Sequence, residues 1–212
     1  MDVKILKQVV GDLDEEQMVE MLNQVMEDGG SQAKEALEAC QGGMDIIGDL
    51  FESGEYFVGD LIFAGELMTQ AVDILKPALA GHTSETVGKV ILCTVEGDLH
   101  DIGKNIVRSI LEANGIEVVD LGIDTPPEKI VETMKREDIH VVLLSGVLTL
   151  ALDSMKKTVD TITEAGLRDK AKVLIGGNPV TEDALKLTGA DAWAKNPQLT
   201  TQICLEWLKA MA

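Results

Sequence analysis

A chain of 212 residues has room for one large domain or two small ones. At 45% hydrophobic but only 3% aromatic, its core must be built from aliphatic side chains and methionine. A formal net charge of −19 argues against a nucleic-acid partner, which needs a basic face, and against an anionic membrane surface.

No basic-then-apolar leader opens the chain, and no apolar run approaches the ~18 residues of a membrane span. The cysteines Cys40, Cys93 and Cys204 have no metal or redox spacing. The expectation is a cytoplasmic protein with reduced thiols. Charge is uneven: residues 1–81 carry 17 acidic against 4 basic residues, and residues 82–212 carry 20 against 14. The change falls at the polar stretch Gly81-His82-Thr83-Ser84-Glu85-Thr86. We therefore expect a helical domain over 1–81, a linker over 82–88 and a second domain over 89–212.

In the first domain apolar residues recur at helical spacing. Leu6, Val9, Val10 and Leu13 form one run, and Met18, Val19, Met21, Leu22 and Val25 a second. The acidic cluster Asp12-Leu13-Asp14-Glu15-Glu16 suits a helix start. A third run holds Ala36, Leu37, Met44, Ile46, Ile47, Leu50 and Phe51; Gly42-Gly43 interrupts it and Gly54 breaks it. A fourth extends from Val58 to Leu75. Four short helices predict a compact antiparallel bundle.

From Lys89 the pattern becomes strictly alternating. Strands are predicted at Val90–Thr94, Glu117–Leu121, Val141–Ser145, Val173–Ile175 and Ala192–Ala194. Helices are predicted at Ile102–Ala113, Pro127–Glu137, Leu152–Ala165, Glu182–Leu187 and Pro197–Ala210. Thr125-Pro126-Pro127-Glu128 reads as a capping box, Asn196-Pro197 as a cap, and Asn114-Gly115 and Ala165-Gly166 as helix stops. Alternation implies a parallel sheet with helices on both faces, and five strands fit a flavodoxin-like order 2-1-3-4-5. The expected fold class is α/β: a four-helix bundle followed by that five-stranded sheet.

In such a sheet three loops converge at the carboxyl edge, where these folds hold ligands. They are Glu96–Gly103, Ser145–Thr149 and Gly176–Pro179. The first contains Asp98, His100 and Asp101. A lone histidine is more often structural, but this one sits on the ligand edge with a carboxylate two residues away. An imidazole that binds a metal through one nitrogen usually donates the other N–H to such a group. Ser145, on the adjacent loop, is placed to extend that relay. A zinc or iron site needs more ligands than are near, since His82 and His140 are not obviously close. One imidazole is enough only for a metal that brings its own ligands, which means a macrocycle. Other readings fail on their own terms. No GxxxxGK[ST] is present, and Gly97 and Gly103 lack dinucleotide spacing. A receiver phosphoacceptor needs aspartate where Ser145 stands, and no GxSxG elbow supports a hydrolase.

Asp98-x-His100-x-x-Gly103, then Ser145-x-Val147 with Thr149, then Gly176-Gly177 resembles the cobalamin-binding signature of methionine synthase and of the corrinoid proteins of anaerobic methyltransferase systems. Phe51-Glu52-Ser53-Gly54-Glu55-Tyr56-Phe57 and Met68…Ile74-Leu75-Lys76-Pro77 resemble that family's helical cap. The resemblance spans nearly the whole chain. It implies His100 as lower axial ligand of cobalt in a base-off, His-on cobalamin, with Asp98 hydrogen-bonded to its other nitrogen and Ser145 behind. It places Asp101 and Ile102 against the cofactor. It implies that Gly103, Val147, Thr149, Gly176 and Gly177 line the slot for the nucleotide tail, and that Phe51 and Val58 cover the methyl-bearing face. Val147 and Val58 depart from the leucines usual there.

The function so implied is that of a methyl carrier cycling between cob(I)alamin and methylcobalamin in an anaerobic cytoplasm, as a subunit of a methyltransferase system of one-carbon metabolism. Its partners would be a substrate-specific methyltransferase, a second one that methylates tetrahydrofolate or a thiol, and a reductive activase. A cap swinging on Gly81–Thr86 would expose the cobalt. Two alternatives stand beside this one. The small subunit of an adenosylcobalamin mutase shares the histidine motif but is not expected to carry the cap. A cobalamin-sensing regulator should bring a basic DNA-binding domain, and residues 1–80 are acidic. Of a full methionine synthase the chain carries only the cap and cobalamin module. In that corrinoid family the donor, whether methanol, a methylamine, a betaine or an aryl methyl ether, is recognised by the partner enzyme.

Overall fold

The computed structural model describes residues 3–79 and 86–211. The hinge expected at Gly81–Thr86 lies outside them except for Thr86, as do His82 and most of the linker expected over 82–88. Two compact units emerge. The first is residues 1–85 with Ala113–Gly115, and the second is Thr86–Glu112 with Ile116–Ala212.

The first unit contains α1 (Val3–Gly11), α2 (Glu15–Glu27), α3 (Ala33–Ser53) and α4 (Val58–Leu79). Asp14 caps α2, its Oδ1 accepting the Gln17 N–H at 3.0 Å. The core is Leu6, Met18, Leu22, Ile47, Leu67, Met68 and Leu75, all fully buried. Each such side chain contributes about 1.5–3 kcal/mol through removal from water. The expected interruption at Gly42-Gly43 does not occur: α3 runs through both glycines. A Cβ at Gly43 would lie 2.6 Å from Val10 Cβ and 2.8 Å from the Lys7 carbonyl. The glycines therefore admit α1 to close packing against α3 and leave the helix unbroken.

The second unit is an α/β layer structure. Its strands are β1 (Gly88–Val95), β2 (Ile116–Thr125), β3 (Val141–Ser145), β4 (Lys172–Gly176) and β5 (Ala192–Ala194). They form one parallel sheet in the order β2-β1-β3-β4-β5, as the alternation predicts. The helices are α5 (Ile102–Ala113), α6 (Pro127–Glu137), α7 (Ala151–Glu164), α8 (Glu182–Thr188) and α9 (Pro197–Met211), with a 3-10 turn at Arg168–Lys170. Two apolar layers sandwich the sheet. On one face Val90, Leu92, Leu143 and Leu174 pack with Leu111 of α5 and Cys204 and Leu208 of α9. On the other, Ile91, Cys93, Leu144 and Ile175 pack with Ile130 of α6, Met155 and Val159 of α7 and Ala184 of α8. Strand side chains alternate faces, so the inner strands β1, β3 and β4 are apolar on both and read as continuous runs.

The capping box expected at Thr125 is absent. The α6 N-cap is Pro126, which has no side-chain acceptor, and Thr125 closes β2 with its hydroxyl 3.5 Å from the Leu121 carbonyl. At Asn196 the cap is present: its Oδ1 accepts the Leu199 N–H at 2.7 Å. β2 is longer than expected, and its pairing with β1 slips after Leu92 and again after Cys93.

Candidate functional site

Thr94, Ser145 and Gly176 stand side by side in register on β1, β3 and β4. The loops that leave these strand ends therefore meet. Gly146 N–H donates to the Gly176 carbonyl at 3.1 Å. A Cβ on Gly177 would fall 2.0 Å from the Gly146 carbonyl oxygen, and the residue's φ of +117° is one that side chains rarely adopt. Gly177 thus lets two loop backbones touch.

The first loop presents His100. Its Nδ1 lies 3.0 Å from Asp98 Oδ1, and its backbone N–H donates to the same oxygen at 2.9 Å. The other oxygen, Oδ2, accepts the N–H groups of Val147 (2.8 Å) and Leu148 (3.2 Å) from the loop after β3. The Asp98 side chain is 1% exposed, against 53% for His100. Burial works against the charged carboxylate, but the donors from His100, Val147 and Leu148 outweigh it and hold its carboxyl below the usual range. Facing an ionised Asp98, Nδ1 is the nitrogen that donates, and in the neutral imidazole with that tautomer Nε2 carries a lone pair directed away from the carboxylate.

The expected relay through Ser145 takes another route. No hydrogen bond joins Ser145 to Asp98 among the described residues; the serine loop supports Asp98 with main-chain N–H groups. The sequence could not show this, since amides carry no residue signature. Asp101 is half-buried and its Oδ2 accepts from Asn105 Nδ2 at 3.1 Å in the first turn of α5. His140 sits apart before β3, with Nε2 3.5 Å from Asp138.

Around His100 the surface is apolar and open: Leu99, Ile102, Val147, Leu148 and Leu150 are all exposed. Apolar side chains clustered this way at a sheet edge mark a binding surface. Beside them a Cβ on Gly103 would meet no atom within 4 Å, and one on Gly176 only the Ala194 carbonyl at 3.5 Å. Gly176 lies two residues after Leu174 and so shares its face, the α5 and α9 side of the sheet, at the end where Gly103 opens α5. Thr149 is exposed in the turn leading to α7. In the helical unit, Phe51 is half-buried near the end of α3 and Val58 is exposed at the start of α4, beside exposed Phe57 and Ile62. Phe57 lies in the cap stretch and Ile62 in the fourth apolar run, but the resemblance gives neither a place in the site.

Residues 88–198 match the B12 binding domain family, and residues 3–76 match a second family model, also described as a B12 binding domain. Trimethylamine corrinoid protein 1 of Methanosarcina acetivorans is 33% identical over 90% of this chain and 89% of its own length. This chain belongs to the B12-binding corrinoid protein family. Monomethylamine corrinoid protein 1 of Methanosarcina barkeri is 37% identical over 79% of each chain. Among solved structures, this corrinoid-family chain resembles a cobalamin-binding protein from Desulfitobacterium hafniense DCB-2, with 49% identity, a TM-score of 0.91 and 98% of both chains covered. It also resembles the methanol:cobalamin methyltransferase complex of Methanosarcina barkeri, with 26% identity, a TM-score of 0.69, and 96% of this chain and 78% of that one covered.

The residues present fit the family's cofactor. Among the described residues no group of three or more His, Cys, Asp or Glu is placed to hold a bare metal ion. A corrinoid brings its cobalt already ligated, so no such group is required, and His100 offers it a single nitrogen on the open apolar surface. The open glycines at 103 and 176 leave the room that a bulky tail requires.

Proposed function

We propose that this protein is a corrinoid methyl carrier that works with a substrate-specific methyltransferase on one side and a methyl-accepting one on the other. The observation that carries the reading is the Asp98–His100 pair: one imidazole, fixed through Nδ1 by a buried carboxylate, with Nε2 left to ligate. When bound, the cofactor supplies a cobalt that takes up a methyl group and passes it on. The chain's part is to hold and tune. His100 is the lower axial ligand of a base-off, His-on cobalamin. Asp98 fixes the tautomer and aims the ring, and the amides of Val147 and Leu148 keep Asp98 ionised.

Asp101, Ile102, Val147 and Thr149 contact the cofactor, and Gly103, Gly176 and Gly177 leave space for its tail. Phe51 and Val58 are the helical unit's contribution to binding. Residues 1–81 form the cap, 82–88 the connection and 89–212 the cobalamin-binding domain. The acceptor is tetrahydrofolate or a thiol, and a reductive activase returns the cofactor to its working state. The methylamine corrinoid relatives and the methanol system support this class of role.

The test is reconstitution with cobalamin. With the protein's histidines labelled with 15N, the cobalt(II) form of wild type should show axial 15N coupling in its EPR spectrum, distinct from the 14N of the cofactor's own base, and His100→Ala should lose it. Retention of that coupling in His100→Ala sinks the assignment. Gly103→Leu should leave the apoprotein's melting temperature within a few degrees and weaken cobalamin binding at least tenfold. Equal binding would remove Gly103 from the site. Methyl transfer with candidate partner methyltransferases then identifies donor and acceptor.

A further inference from the structure

The carboxyl end of β2 is irregular in a way the sheet itself does not require. Pairing with β1 runs evenly to Leu92↔Asp120, then jumps to Cys93↔Gly122 and Val95↔Thr125. The extra residues form a bulge in which Asp124 has a φ of 49°, the left-handed region that disfavours side chains and that aspartate tolerates better than most. Strain of this kind persists only where surrounding contacts hold it.

Those contacts all lead to the histidine loop. The Asp124 carboxylate accepts the Gly97 N–H at 2.7 Å. Its own N–H reaches the Asp98 carbonyl at 3.1 Å and Thr94 Oγ1 at 2.9 Å. Thr94 Oγ1 in turn donates to the same Asp98 carbonyl. The base of the bulge is anchored as well. Asp120 Oδ1 accepts the Gly122 N–H at 2.9 Å, and its Oδ2 pairs with the 3% exposed Lys104 and with Arg108, both on α5. The Asp98 side chain is held by the loop after β3, while its backbone is held by β2. His100 thus stands at the end of a segment gripped from two strands.

We infer that Asp124 is a positioning residue for the axial histidine. The β2 bulge is a strut that sets Gly97 and Asp98 before the cofactor arrives, so the imidazole needs little rearrangement to ligate. This rests on the reading of His100 as cobalt ligand.

Three variants and two readouts test it. Asp124→Asn keeps an acceptor for Gly97 and suits the same backbone conformation. Asp124→Gly relieves the conformation but removes the acceptor. Thr94→Val keeps the shape and removes the hydroxyl. In the apoprotein, amide exchange at Gly97 should rise at least tenfold in Asp124→Gly and stay near wild type in Asp124→Asn, and exchange at Asp124 should rise in Thr94→Val. In the reconstituted cobalt(II) protein with 15N-labelled histidines, Asp124→Gly should lower the 15N-coupled EPR fraction below half, with Asp124→Asn near wild type. Suppose wild type shows the coupling, His100→Ala loses it and Asp124→Gly keeps it in full. Then the axial assignment stands and the strut is overturned. Unchanged Gly97 exchange in Asp124→Gly overturns it independently, without any cofactor. If wild type shows no coupling, the axial assignment fails and the inference falls with it.

Discussion

At the scale of residues, the most consequential group is Asp98, a buried carboxylate surrounded by donors. Its folded-state carboxyl is held below the unfolded value, so the unfolded chain takes up a proton first as pH falls. The stabilisation from Asp98 is therefore complete above about pH 4, where an unperturbed aspartate is ionised, and drains away below it. Asp120 is lowered in the same sense: burial opposes its charge, and Lys104, Gly122 and Arg108 overcome it. Asp98→Asn should cost roughly 1–3 kcal/mol at pH 7, because an amide donor then faces N–H groups. Denaturant titrations should show the gap between wild type and variant shrinking from pH 6 to pH 3. A gap that widens in acid would reverse the assigned sign.

At the scale of elements, the packing of α1 on α3 makes a second prediction. Gly→Ala inside a helix normally gains up to about 1 kcal/mol. At Gly43 the added methyl meets Val10 and the Lys7 carbonyl, and overpacking of that kind costs about 1–3 kcal/mol. Thermal melts should place Gly43→Ala below wild type, while Gly59→Ala on α4, where nothing lies within 4 Å, should melt at or above it. The same pair shows how far the sequence could be read. Helix existence followed from apolar spacing, but the Gly42-Gly43 pair reads as a break until the helix that needs the space is known. The sheet was legible because the inner strands β1, β3 and β4 are buried on both faces and strands and helices alternate along the chain. His100 and Asp98 were legible because their spacing is local. Lys104 was legible only in part: it shares a helical phase with Val107 and Leu111, which would have placed it on the inner face of α5. The β2 bulge and the amide support of Asp98 depend on residues 27 to 50 positions apart, which no local pattern encodes.

At the scale of the molecule, charge and core are divided unequally between two units. Most of the net charge lies in residues 1–81, and no helix among the described residues is long and apolar enough to cross a membrane. Each unit has its own aliphatic interior, so each can open by itself. The three buried cysteines fall on both sides of that division: Cys40 in the helical unit, Cys93 and Cys204 in the sheet unit. Burial pushes each thiol up to about 12, so none offers a thiolate near neutral pH. Alkylation can proceed only through opening, which makes each cysteine a clock for the unit that encloses it. Iodoacetamide labelling followed by mass mapping should give one rate for Cys40 and a common, different rate for Cys93 and Cys204. Corrinoid should slow the latter pair by stabilising the unit that binds it. A single shared rate at all three sites would mean that the two units unfold as one.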